Sequence, residues 1–228
     1  MRPALAAASS LALLVALRAT AAPPRPPVWP ERFRVAFDIA RPPPARAAAA
    51  TLYYDWPGRR NLILIETPGE HTLHDLELGN HSSYYFTPAE RRCTTLRMPV
   101  GVLPPDWLAG AEYLGRTTVG NATADVWTKA DFVVYYSDAA SGAPLRWDFI
   151  DGSGMNQTVR RGSYAPGGGP PTESAWEPPA YCPPTPPAPA PLPPYLPAPE
   201  DVVGFAPPAT SASSLPFWYR PTPASARA

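Results

Sequence analysis

From Phe33 to about Arg160 the pattern of apolar and polar residues is that of β-strands, clearest where it alternates with a period of two. Phe33, Val35, Phe37 and Ile39 fall on one side of "FRVAFDIA", with Arg34 and Asp38 on the other. This spacing belongs to a strand with one buried face. "TLYYDW" and "NLILIET" are strong strand formers on either side of Pro57-Gly58-Arg59-Arg60 and predict a hairpin. "HTLHDLEL" also has period two, but neither face is clean: Leu73, Asp75 and Glu77 oppose His74, Leu76 and Leu78. "SSYYFT" and "RCTTLRM" flank a Pro88-Ala89-Glu90 turn, and "EYLGRTTVG", "ADVWTKADFVVYYSD" and "APLRWDFID" supply further strands. Ser141-Gly142-Ala143-Pro144 marks another hairpin. "LPPDWLAGAEYLG" is the one helix candidate, with Asp106 placed to cap a single turn after Pro104 and Pro105. "RPPPARAAAA" reads as a loop.

Eight to ten short strands at close spacing predict a mainly β fold. The expected form is a single antiparallel sheet, strongly curved into a half-barrel, with few short helices. Helices are too few for a sheet of βαβ units.

The ends of the chain differ from this centre. Residues 1–21 carry Arg2, an apolar core from Ala4 to Leu17, and Ala19-Thr20-Ala21. That pattern is a secretory signal cut after Ala21, the alternative being an anchor that stays attached. No later segment reaches transmembrane length. Residues 22–32 form a proline-rich extended lead-in and 33–182 the β domain. Residues 183–228 are a proline-rich tail of the kind that stays disordered, broken only by Leu215-Pro216-Phe217-Trp218-Tyr219.

The signal changes how other residues are read, because it places the chain in the secreted or endomembrane-lumenal compartment. There Cys93 and Cys182, the only cysteines, predict one disulfide; free buried thiols or pairing with another chain are the alternatives. Three sequons, at Asn80, Asn121 and Asn156, sit beside glycine or small polar residues and predict N-glycosylation at turns.

Formal net charge is zero and only 17% of residues are charged, so nothing favours nucleic acid as a partner. Ser153 in "DGSGMN" lacks the spacing of a nucleophile elbow, and no phosphate loop or dinucleotide fingerprint is present. No cofactor is implied. His71, His74, Asp75 and His81 form the only histidine cluster, but His71 and His74 would point to opposite faces of a strand, so no metal site is assigned. Asp55, Glu66, Asp131 and Asp138 could supply a glycosidic carboxylate pair only if folding brought two of them within about 5–9 Å. No catalytic residue is assigned.

The aromatics carry the remaining signal. A curved sheet must cover its concave face, either with its own core or with a bound molecule. Tyr54, Trp56, Trp107, Trp127 and Trp147 are the candidates for lining an apolar or lipid-like ligand. Packing into a core is the competing role for each.

"WPERF", "LYYDWPGRRN", "SSYYFT" with Cys93, "VGVLPPDWLAGAEYLG", "VWTKADFVVYYSD", "GAPLRW" and "PPAYC" occur in one order between Trp29 and Cys182. The set resembles a plant and algal family of secreted, mostly uncharacterised proteins. Its usual "YDWPNGRN" stands here with one turn residue changed, at Tyr54 to Asn61. Some members carry the label "transferase, transferring glycosyl groups", so the resemblance implies glycosyl transfer as a rival function. "VWTKADFVVYYSDAASGAPLRW" resembles the hairpin of lipoprotein-carrier (LolA-type) and ependymin-like half-barrels, which implies an apolar cavity. The "PPTPPAPAPLPP" tail resembles proline-rich glycomodules of cell-wall proteins, which implies a polysaccharide or matrix partner.

Overall fold

The computed structural model describes residues 22–187 except 99, 131 and 171. Residues 1–21, expected to be a signal, and the tail beyond residue 187 therefore lie outside the described residues, as does Asp131.

All twelve strands among the described residues join one antiparallel sheet. In chain order they are β1 (Arg32–Ala40), β2 (Ala48–Asp55), β3 (Arg60–Glu66), β4 (Leu73–Leu78), β5 (Ser82–Thr87) and β6 (Arg92–Arg97). Then come β7 (Glu112–Val119), β8 (Ala122–Lys129), β9 (Val133–Asp138), β10 (Pro144–Phe149), β11 (Asn156–Val159) and β12 (Ala165–Pro166). The spatial order is β6-β5-β4-β3-β2-β1-β11-β10-β9-β8-β7, with β12 paired to β1. The chain lays down one meander outward from β1, jumps to the far edge, and returns by a second meander that ends against β1.

That jump governs the shape. Laid flat, eleven adjacent strands separate β6 and β7 by about 48 Å. The chain from Arg97 to Glu112 reaches about 50 Å only when fully extended. It is not fully extended, because turns close at Pro104–Trp107, Asp106–Ala109 and Leu108–Ala111. The sheet must curve, and the connecting segment must cross its concave face. Curvature is helped by register shifts at Tyr113/Gly115 and Pro144/Arg146. Gly115 sits at φ +116, a backbone conformation that few other residues accept.

The main core lies between the concave face and this crossing segment. β1 buries Phe33, Val35, Phe37 and Ile39, as its alternation requires, and Val102, Trp107 and Leu108 pack on them from the crossing segment. Trp29 of the lead-in joins the same core. A second core lies on the convex side, where residues 173–182 form a strap over β2–β6. It unites Tyr53, Leu62, Leu76 and Phe86 with Trp176. The strap is tied to β6 by the Cys93–Cys182 disulfide, as expected from the sequence. Its contacts continue past the cysteine: the Thr95 hydroxyl donates to the Pro183 carbonyl and Arg97 to that of Pro186.

Three local readings differ from the structure. The 104–111 stretch makes overlapping single turns rather than a helix. Trp107 and Leu108 are drawn into the core, and the segment between Pro105 and Gly110 is too short to sustain a helix of its own. Ala48–Ala50 belong to β2, not to the loop before it, because small side chains fit beneath Ile39 and Phe37 in the paired register. β11 and β12 lack a run of strand-forming side chains. Tertiary pairing makes them strands, β11 filling the gap between β1 and β10.

Replacing both cysteines by serine frees a strap that closes 89 residues of chain, and should cost on the order of 4 kcal/mol of stability. Hydrogen exchange should rise in the strap, β5 and β6 while β8 and β9 stay protected. Uniform exchange across both halves would contradict this arrangement.

Candidate functional site

The "YDWPGRRN" motif at Tyr54–Asn61 joins the two faces. Tyr54 points into the concave core, and its hydroxyl donates to the Leu103 carbonyl at 2.7 Å, holding the crossing segment. Asp55 is turned to the convex side and accepts from Arg32 (2.9 Å), Arg60 (2.8 Å) and the Gly58 N–H (3.2 Å). Burial alone would raise its carboxyl, but the bonds from Arg60, Gly58 and Arg32 outweigh that and hold it below the ordinary range. A side chain at Gly58 would collide with this carboxylate and with Arg60 Nε. Arg60 also pairs with Glu173 of the strap at 2.6 Å and lies over the Trp176 ring. Arg59 covers Trp56 at 4.4 Å. The motif therefore fixes architecture: its only carboxylate is neutralised by arginines.

The five residues expected to line a ligand have these positions. Tyr54, Trp107, Trp127 and Trp147 are buried members of the concave core, and Trp56 is half-buried against it. Trp29 centres the cluster, with rings of Phe33, Tyr54, Trp107, Tyr135 and Trp147 at 5.3–6.5 Å. The Trp29 indole donates to the Tyr135 hydroxyl at 2.9 Å. The concave aromatic face is thus occupied by the protein's own side chains, because the crossing segment has to pass over it. Its closure is irregular chain. Besides the Tyr54 bond, Trp29 donates its backbone N–H to Pro105, and Lys129, the chain's only lysine, donates to the carbonyls of Trp107 and Ala109. The Trp107 indole N–H is buried without an acceptor.

A group of residues not singled out together from the sequence sits beside this core. Asn61 of β3, Asp75 and Glu77 of β4, and Ser83 and Tyr85 of β5 share the concave face. Register sets Asn61 opposite Glu77, Glu77 opposite Ser83, and Asp75 between Ile63 and Tyr85. The alternate residue Leu76 packs in the convex core, which fixes the direction of Asp75 and Glu77. The Asn61 amide donates to Glu77 at 3.0 Å. Asp75 is 2% exposed. Burial, reinforced by Glu77, pushes its carboxyl well above the usual carboxylate range, against a hydrogen bond from Tyr85. Burial likewise raises Glu77, against the bond from Asn61. Such a pair can retain a proton or compensate a buried positive charge. The signal in the sequence was the mixed pattern of "HTLHDLEL". It did not show which face turned inward, because the strap makes the other face apolar as well.

The remaining candidates do not converge. His74 stacks on Phe86 on the convex side, opposite Asp75, and burial lowers its pKa. His71 and His81 are exposed. Among the described residues no group of three metal-ligating side chains gathers. Asp55 and Asp138 lie on β2 and β9, four strand spacings or about 19 Å apart along the sheet. Asp138 serves its own turn, accepting from Ser141 and Ala140. Asn80 and Asn121 are exposed at turns, while Asn156 opens β11 inside the sheet, paired with Asp148 and Ala40 rather than lying in the turn expected for it.

A disulfide-strapped, open and curved antiparallel sheet is the class this geometry defines. Residues 28–182 match a domain of unknown function (DUF8395), and the chain belongs to that family. No curated protein matches. Among solved structures, an uncharacterized conserved protein from Thermus thermophilus is similar over 63% of this chain and 82% of its own, at 12% identity and a TM-score of 0.44. MucB is similar over 67% of this chain at 14% identity and TM-score 0.37, and the match spans 58% of MucB. A DUF1329 family protein from Desulfovibrio piger matches 65% of this chain and 90% of its own, with 10% identity and TM-score 0.36.

The raised carboxyl of Asp75 has a definite sign. Its folded pKa exceeds the unfolded value near 3.9, so it costs stability progressively as pH rises above that value. Asp75→Asn should therefore raise the melting temperature at pH 7, with the gain vanishing near pH 4. A lower melting temperature at pH 7 would contradict the burial argument.

Proposed function

We propose that this chain is a secreted binding module that takes an apolar or lipid-like ligand on the concave face of its sheet, beneath residues 100–111. The observation that carries the reading is how that face is closed. An extended aromatic surface is covered by irregular chain, held by a handful of hydrogen bonds and one lysine, with the Trp107 indole N–H left without an acceptor. A buried donor without a partner costs about 1–3 kcal/mol, which a rearranged segment could recover. The segment also exposes Val100 and Leu103, and the lead-in exposes Val28. In this reading Tyr54, Trp107, Trp127 and Trp147 pack on one another when the site is empty and line the ligand when the segment lifts.

Secretion is part of the proposal. The signal-like start, the intramolecular disulfide and the exposed Asn80 and Asn121 sequons agree with an oxidising, glycosylating compartment. Glycosyl transfer finds no support in the placement of Asp55 and Asp138, each engaged in a structural cluster.

Native mass spectrometry of the secreted chain should show a bound amphiphile, and a fluorescent long-chain probe should enter the purified protein. Lys129→Met, which unpins the crossing segment, should speed probe uptake several-fold. Absence of both native ligand and probe uptake would reject the reading.

A further inference from the structure

The polar half of the concave face has more acceptors than donors. The Asn61 amide donates to Glu77, and Tyr85 is hydrogen-bonded to Asp75. Asp75 Oδ1 and Asn61 Oδ1 are nevertheless both buried with no partner. Exchanging the oxygen and nitrogen of Asn61 does not cure this, because it takes the donor away from Glu77. Arginine does not relieve it either: none of the ion pairs among the described residues includes Asp75 or Glu77. Elsewhere in the sheet the buried carboxylates Asp55 and Asp125 each hold an arginine. The lack at Asp75 is thus specific: donors and positive charge.

What adjoins the cluster is apolar. Ile63 lies opposite Asp75 in register, Leu73 is the next residue on the same face of β4, and both pack against the aromatic core under the crossing segment. A pole of unsatisfied acceptors therefore opens directly onto an apolar surface.

We infer that the ligand of this face is an amphiphile with a primary ammonium head, the head held by Asp75, Glu77 and Asn61 and the hydrocarbon running past Ile63 and Leu73 toward Trp107. The inference rests on the apolar-ligand reading above and adds the class of head group. An ammonium brings three donors and one positive charge to a site where two buried acceptors have no donor and neither carboxyl has an ion pair among the described residues. A carboxylate or phosphate head would meet two carboxyls and be rejected. A hydroxylated neutral head would supply donors but leave the charge uncompensated. No covalent step is involved.

The test uses the full mature chain and three single-tailed probes below their micelle concentrations: dodecylamine, dodecanoate and dodecyl maltoside, with calcium as a fourth. Calorimetry should give one dodecylamine per chain, bound at least about tenfold tighter than either other amphiphile. Asp75→Asn should weaken dodecylamine at least about tenfold and leave dodecyl maltoside within about twofold. Glu77→Gln is the second variant, with the same expectation should Asp75→Asn fold poorly. Dodecanoate or maltoside binding as tightly as the amine would overturn the head-group inference and leave the apolar site standing. Calcium binding that Asp75→Asn abolishes would reassign the cluster to a divalent cation and overturn it as well. Failure of all three amphiphiles to bind would remove the apolar-ligand reading itself.

Discussion

The structure depends on one geometric constraint: the two edges of the sheet, β6 and β7, are consecutive in the chain. Their link has to cross the whole sheet within a few residues of its maximum reach. Curvature, the choice of which face is concave, and the position of the core all follow. Trp107 and Leu108 reach the centre of the concave face because the link passes there, and Phe33, Phe37, Tyr54 and Tyr135 are the surface they meet. Burial of these large side chains is the main stabilising term, each of the aromatics contributing on the order of 3–5 kcal/mol by the usual truncation measure.

The convex face is organised by a second constraint, the strap. Cys182, Trp176 and Glu173 fix it to Cys93, to Tyr53 and Leu62, and to Arg60 respectively. Arg60 in turn shares Asp55 with Arg32. A short motif thereby ties the strap, the first strand and the second hairpin together, and its Tyr54 and Asn61 reach the other face to meet the crossing segment and Glu77. The same stretch serves both layers because successive residues of a strand point to opposite sides.

Much of this was legible in the sequence. Period-two alternation in β1 and the hairpin around Pro57-Gly58 follow from local patterns that the tertiary structure only reinforces. The Cys93–Cys182 bond follows from the chain having a single pair of cysteines. The sequence could not show whether Tyr54 and Trp107 line a space or fill it, because that depends on a segment crossing from one sheet edge to the other. Nor could it separate Asp75 from a solvated strand acid. Its neighbours Leu76 and His74 face a strap that lies about 100 residues further along the chain. Long-range covering, not local pattern, decided which face was inside.

A binding site on the concave face requires residues 100–111 to be its separable cover rather than an inseparable part of its core. Native-state hydrogen exchange of the ligand-free protein measures this directly. The amides of Trp107, Ala109 and Ala111 should exchange at least about tenfold faster than those of β1 and β2, which corresponds to an opening about 1.4 kcal/mol easier than global unfolding. Exchange of these amides at the same rate as β1, through global unfolding alone, would mean that the aromatic face never opens, and would contradict a binding site there.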